Sequence, residues 1–322
     1  MMKKIISIVV VLVTLAIIVL LVLDYSSVRP DKLGKNPYAY NVDEFRDVDP
    51  FLIGYKETRN IPVRDYQAGA IDLADNLLWL TGDAILEAIT PGGVRQLRAE
   101  TGGAGTCMEV VSGAVFIGFE DHVKRYDRKG NLVTAWKSPG EKTVITSLAA
   151  AGDEFLFVAD AGNRRVLRYN FEGVLLNEFR GQAESDAGHG FIVPSANFDL
   201  IVNSYGELWV VNPGRHAIEN YTFDGDLRGF WKLSAMTIEG FSGCCNPAEI
   251  AVTSDGSFVT SEKSMVRIKI YDASGKLKTV VAPPEKFREE GKAPEVVIDQ
   301  AGTIYALDFD RNTIRIFEEI KK

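Results

Sequence analysis

A segment of about 40 residues recurs along most of this chain, and a repeat of that length restricts the available folds more than any composition figure does. The register is visible in "HVKRYDRKGNLVTAW" from His122, "RRVLRYNFEGVLLNEF" from Arg164, "HAIENYTFDGDLRGFW" from His216 and "MVRIKIYDASGKLKTVV" from Met265. In each, an alternating strand ends in an aromatic residue, and a hairpin glycine supplies the positive φ of a tight return. Weaker copies, "AILEAITPGGVRQLRA" from Ala84 and "NTIRIFEEI" from Asn312, bring the number to six. The strands before these, among them "NLLWL", "AVFIG", "EFLFVAD", "ELWVV" and "TIYALD", are apolar on both faces and belong inside a stack of sheets. A lone four-stranded sheet cannot bury both faces, but a ring of them can, so the pattern predicts an all-β, six-bladed β-propeller over residues 49–322. The last copy stops without a hairpin or fourth strand. "PFLIGYKETRNI", Pro50 to Ile61, has strand character and no local partner, and is expected to supply that missing outer strand and close the ring.

Ahead of the repeats, Ile5 to Leu23 contains only Ser7 and Thr14 as polar residues. At about 1.5 Å per helical residue it nearly matches a hydrocarbon core of about 30 Å. Lys3 and Lys4 precede it, and the positive-inside bias then keeps the N-terminus cytoplasmic and sends the rest across. A cleaved secretory signal fits less well, because the apolar run is long and "LVLDYSS" offers no small-residue cleavage site. The expected organisation is a transmembrane signal anchor (1–23), a polar tether (24–48) and the propeller. That would be a single-pass cell-membrane protein with its bulk on the extracytoplasmic side, periplasmic or extracellular.

Without Lys3 and Lys4 the chain carries 34 basic against 44 acidic side chains, about −10. This argues against nucleic acid as a partner, since phosphates select a basic face. Three cysteines are too few for a disulfide scaffold, so the core must hold the fold.

"FLFVADAGNRRVLRYNFEGVLLNEFRG" from Phe155 resembles an NHL repeat in its V-A-D, its loop Asn, its R-V, its aromatic and its hairpin Gly. "PAEIAVTSDGSFVTSEKSMVRIKIYDASGKL" from Pro247 is a looser copy without the Asp and Asn. The resemblance implies a six-bladed propeller whose signature residues serve the blade rather than an activity.

Chemistry is expected on the face that carries the blade-to-blade crossovers and the loops between second and third strands. "EGFSGCCNPAEIAV" from Glu239 places Cys244, Cys245 and Asn246 in such a crossover. Adjacent cysteines can close a vicinal disulfide, bind a soft metal, or sit reduced as part of a rigid turn. His122, His189 and His216 map to the same face; amidating lyases with this propeller hold zinc with histidines, although no H-x-x-x-H spacing occurs here. Glu109, Asp199, Glu249 and Glu295 lie at the starts of first strands, near the tunnel mouth, with Asn197 and Asn203 as amide neighbours. Related lactonases and esterases hold a divalent metal there with Glu, Asn and Asp, so a Ca or Zn ion is a candidate cofactor. The alternative is a ring of solvated side chains around a water-filled pore.

No nucleophile–base pair or H-E-x-x-H motif occurs. The expected function is a membrane-anchored scaffold that binds a protein or small-molecule ligand on the loop face. The rivals are a cation-dependent lactonase, esterase or lyase, and a redox partner acting through Cys244 and Cys245.

Overall fold

The computed structural model describes residues 2–27, 42–183 and 188–321. One unit, up to Glu44, contains the α-helix Met2–Ser27, whose Ile5–Asp24 stretch is long and apolar enough to cross a membrane. Most of the expected tether, residues 28–41, lies outside the described residues.

The second unit, from Phe45, contains six antiparallel four-stranded sheets. Blade 1 is Ala70–Ala74, Leu77–Gly82, Ile85–Ile89 and Arg95–Glu100, and blades 2 to 5 repeat that order up to Ala282. Each inner strand lies beside those of both neighbouring blades, and the inner strand of blade 6, Glu295–Ile298, lies beside that of blade 1. Blade 6 is completed as the sequence predicts: Tyr55–Pro62 pairs antiparallel with Thr313–Glu319, from Tyr55 opposite Glu319 to Pro62 opposite Thr313. Arg315, 2 % exposed, ties the closure together by reaching Glu57 at 2.7 Å and Asp308 at 3.3 Å.

The recurrent aromatic and glycine meet between blades. In the third-to-fourth-strand hairpin of blade 3, Gly173 has φ of 84° and lies on Trp136 of blade 2; a Cβ there would come within 2.5 Å of the indole. Gly275 of blade 5 meets Trp231 of blade 4 in the same way, with φ of 85° and a closest approach of 2.6 Å. Trp136 in turn packs against Tyr169, and Trp231 against Tyr271. The repeat is therefore legible because one contact, glycine under aromatic, is used to join successive blades. Burying each large aromatic contributes about 2–3 kcal/mol to that joint.

The Asp and Asn of the NHL-like segment are structural. Asp160 accepts hydrogen bonds from the Val144 and Asn163 amides and pairs with Arg165 at 2.9 Å, pinning the crossover from blade 2 to its own blade.

Candidate functional site: the tunnel, its mouth and the dicysteine turn

Inner strands line a central cavity of about 180 Å³, and the charged side chains along it are all acidic. Asp72, Glu109, Asp199, Glu249 and Glu295 project from blades 1, 2, 4, 5 and 6, with Ser147 in the corresponding place on blade 3. Most of these groups accept from the next blade's backbone. Asp72 takes the Val110 amide at 2.7 Å, Glu109 the Ala150 amide at 3.1 Å, Asp199 the Ile250 amide at 2.7 Å and Glu295 the Ile71 amide at 2.8 Å. Between blades 3 and 4 the link is made by Ser147, whose hydroxyl donates to Asp199 at 2.6 Å and meets the Leu200 amide at 3.3 Å. The result is a belt of side-chain-to-backbone bonds around the axis with one gap, between blades 5 and 6. There the Glu249 carboxyl turns to Asp199 instead.

Burial governs the ionisation of this belt. It pushes Asp72 and Asp199 up to about 6 despite the amides they accept from. Glu109 is raised well above the usual carboxylate range by burial and then by the charge of Asp72. Glu249 is raised by burial, then by Asp199 and Glu295. Glu295 is raised by burial and, more weakly, by Asp199 and Asp72. Carboxyls so close in a low-dielectric tunnel favour sharing protons or a cation over full ionisation.

At Glu249 the tunnel opens into a mouth cavity of about 740 Å³. Its wall comes from crossovers and second-to-third-strand loops, including Glu120, Asn197, Lys263, Lys292 and Phe309. Asn197 therefore stands at the mouth rather than in the belt, and its amide oxygen accepts from Ser195 at 3.0 Å. Asn203 is at neither place: its side chain organises the 203–207 hairpin by accepting the Tyr205 and Glu207 amides.

The dicysteine turn is tied through Asn246 to the backbone of Lys263 in this wall. Cys244 is exposed and Cys245 is 2 % exposed, with their sulfurs 3.1 Å apart. The side chain of Asn246 is spent on the backbone: it accepts the Lys263 amide at 2.9 Å and donates to the Ser242 and Lys263 carbonyls at 2.7 and 3.2 Å. Lys263 points to Ser195, Nζ to Oγ 2.8 Å.

The three histidines do not converge. His122 pairs with Asp121 at 2.7 Å and stacks on Phe119. His189 is buried against Glu219 at 3.0 Å, in a network with Asn212 and Tyr221. His216 donates through Nε2 to the Gly243 carbonyl at 2.6 Å, and its Nδ1 shares a hydrogen bond with the Ser234 hydroxyl at 2.7 Å. It braces the dicysteine turn. Among the described residues no three His, Cys, Asp or Glu side chains stand as a ready-made metal site.

Sequence reasoning passed over Asp72, Ser147, Ser195 and Lys263. It also missed a charged cluster in blade 5, where Glu262, Arg267 and Lys269 are fully buried together. Arg267 and Lys269 donate to the Gly240 carbonyl at 2.8 and 2.7 Å, and Glu262 accepts the Ser242 amide at 3.3 Å. The crossover leading into the dicysteine turn is thereby fixed to its own blade. The charged crossover from Pro283 is likewise held, by Arg311 and Arg315 donating to the Lys286 carbonyl at 2.9 and 3.1 Å.

No family model matches this chain, and no curated protein does. Solved structures share its fold. A streptogramin B lyase aligns at 12 % identity and TM-score 0.59, over 83 % of this chain and 98 % of the other. A structural-genomics protein of unknown function from Bacteroides thetaiotaomicron aligns at 14 % and 0.59, over 82 % and 75 %. The WD40 propeller domain of Doa1 aligns at 13 % and 0.55, over 83 % and 98 %. A lyase and a WD40 domain both share the fold, at 12 % and 13 % identity, so the likeness speaks for the propeller and not for an activity.

Proposed function

We propose that this chain is a membrane-anchored, extracytoplasmic member of the NHL-like propellers that acts as a binding scaffold, with its ligand seated in the mouth cavity on the loop face. The observation that carries this reading is the gap in the belt. Four carboxylates and Ser147 are committed to neighbouring backbones, whereas Glu249 faces both the tunnel and the mouth. Glu249, left without a backbone donor above an acidic tunnel, in a mouth that carries Glu120 and Glu290 as well as Lys263 and Lys292, is the group that would take a cation: an amine of a small molecule, or a Lys or Arg of a partner protein. Lys3 and Lys4 ahead of the apolar helix support the anchored, extracytoplasmic placement.

The test is site-specific photo-crosslinking in membranes. A benzophenone side chain at the exposed mouth position Lys292 is expected to give a discrete adduct, and one at the exposed Gln300, at the other end of the tunnel, none. Adducts from Gln300 alone, or the same adducts from both, would contradict the assignment. The enzyme alternative requires a divalent cation in the belt as Lewis acid, and about one Ca or Zn per chain surviving dialysis would favour it.

A further inference from the structure

The chain between Gly243 and Asn246 is held more firmly than an exposed crossover needs to be. His216 grips the Gly243 carbonyl, Asn246 is tied to the Lys263 backbone in both directions, and Glu262 accepts the Ser242 amide. These bonds fix two adjacent sulfurs 3.1 Å apart, one exposed and one covered, and they fix the backbone of Lys263 against the same turn. A merely structural turn would not need a lysine directed toward Ser195 at its covered sulfur.

We propose that Cys244 and Cys245 form a thiol–disulfide exchange site for a dithiol carried by a partner, with Cys244 bearing the mixed disulfide and Cys245 released as a thiolate beside Lys263. In the oxidised pair the exposed Cys244 sulfur is the accessible electrophile. A partner thiolate attacks it, a new S–S bond forms to Cys244, the bond between the two cysteines breaks, and the electron pair leaves on Cys245. The second thiolate of the partner then attacks the partner sulfur of the mixed disulfide. That closes the partner's disulfide and expels Cys244 as a thiolate, which takes a proton from water. Two electrons pass from the partner dithiol, which is oxidised, to the cysteine pair, which is reduced; a disulfide-bearing partner reverses the sequence.

The surroundings favour the reduced side. Burial pushes the Cys245 thiol up, but the Ser195 hydroxyl, Cys244 and the Lys263 ammonium together outweigh it and hold the thiol below its ordinary value. Cys244 is shifted the other way, chiefly by its neighbour's sulfur. A stabilised leaving thiolate opens the disulfide faster and makes the pair a stronger oxidant. Cys107 is buried in the inner strand of blade 2 and burial raises its thiol, so it takes no part. The site shares Lys263 with the wall of the mouth cavity, but the exchange chemistry does not depend on a ligand seated there.

Full-length protein in detergent micelles, equilibrated in glutathione buffers and quenched by alkylation, tests this by peptide mass. The peptide containing Cys244 and Cys245 is expected to appear unalkylated and lighter by two hydrogens as the buffer becomes more oxidising, while the Cys107 peptide stays reduced. Lys263→Gln is expected to shift the exchange equilibrium toward the disulfide, by up to about tenfold for each pKa unit by which the thiol rises when measured at a pH above its ionisation, and to slow ring opening; Lys263→Arg is expected to keep wild-type behaviour. Tryptophan fluorescence checks that both variants are folded. A peptide that stays doubly alkylated in every buffer, loss of both thiols without the mass change, or a folded Lys263→Gln with unaltered exchange would each overturn the proposal.

Discussion

Buried carboxylic acids whose ordinary values are raised bind protons more tightly in the native chain than in the unfolded one, so their stabilisation is complete at acid pH and lost as pH rises. For Asp72 and Asp199 the change is from 3.8 to about 6. At 1.36 kcal/mol per pH unit this is about 3 kcal/mol for each over the whole titration. About 2 kcal/mol of each falls between pH 4.5 and 7, hence about 4 kcal/mol for the two. Glu109, Glu249 and Glu295 are raised as well and act in the same direction. Lowered acids such as Glu57, Asp127 and Asp272 act oppositely, but they lose their stabilisation as pH falls from their unfolded values near 4 through their lower folded ones, mostly below this window. Lys269, pushed down to about 7 by burial, adds stability only as pH climbs above that value. Urea unfolding of the full chain in micelles at constant salt, followed by tryptophan fluorescence, should therefore show stability falling by about 4 kcal/mol or more from pH 4.5 to 7. The double variant Glu109→Gln/Glu295→Gln keeps a carbonyl acceptor for the Ala150 and Ile71 amides. It should show a shallower slope and exceed wild type at pH 7. Stability that is flat or rising across this window would refute the belt as a set of buried, raised acids.

Three further outcomes follow from packing and charge. Gly275→Ala places a methyl against Trp231 at positive φ, and should cost about 2–4 kcal/mol by denaturant titration, whereas Gly256→Ala, with open space around it, should cost only the backbone term of about 1–2 kcal/mol. Arg315→Met removes the buried cation from Asp308, leaving it only the half-exposed Arg311 at 3.4 Å, and frees Glu57 from the closing strand, so a loss of about 3 kcal/mol and early protease cleavage near residues 55–62 are expected. If the belt accepts a divalent cation, millimolar calcium or zinc should raise the melting temperature at pH 7.5 but not at pH 4.5, where the acids are protonated, and Glu249→Gln/Glu295→Gln should abolish the effect.

Features that depend on local chemistry were legible. The hairpin glycines mark their turns, the doubly apolar second strands mark the interior, and the strand expected at Pro50–Ile61 supplies the missing edge of blade 6 from Tyr55 on, with Pro50–Leu52 forming a 3-10 turn instead. Four of the tunnel carboxylates could be found from their place before an apolar strand. Asp72 escaped because "AIDLADN" reads as the approach to a turn, and Ser147 because a hydroxyl fills a position where other blades use an acid. What joins three distant segments was not legible: Ser195, Cys245 and Lys263 come from a crossover, another crossover and a loop on different blades. The buried charges of blade 5 were hidden for a similar reason, since "FVTSE" looks half-exposed until the carbonyls of residues 238 and 240 supply its partners with acceptors.

The ring's closing pair joins Glu57 to Arg315 across 258 positions. Any chain delivered N-terminus first must therefore keep its earliest strand waiting, with a bare hydrogen-bonding edge, until almost everything else has emerged. That edge is rich in charge, "YKETRN", which discourages wrong partners during the delay. Assembly of the disc is accordingly set by the arrival of its final strand, and a molecule cut short before residue 313 would present two open edges rather than one defective blade.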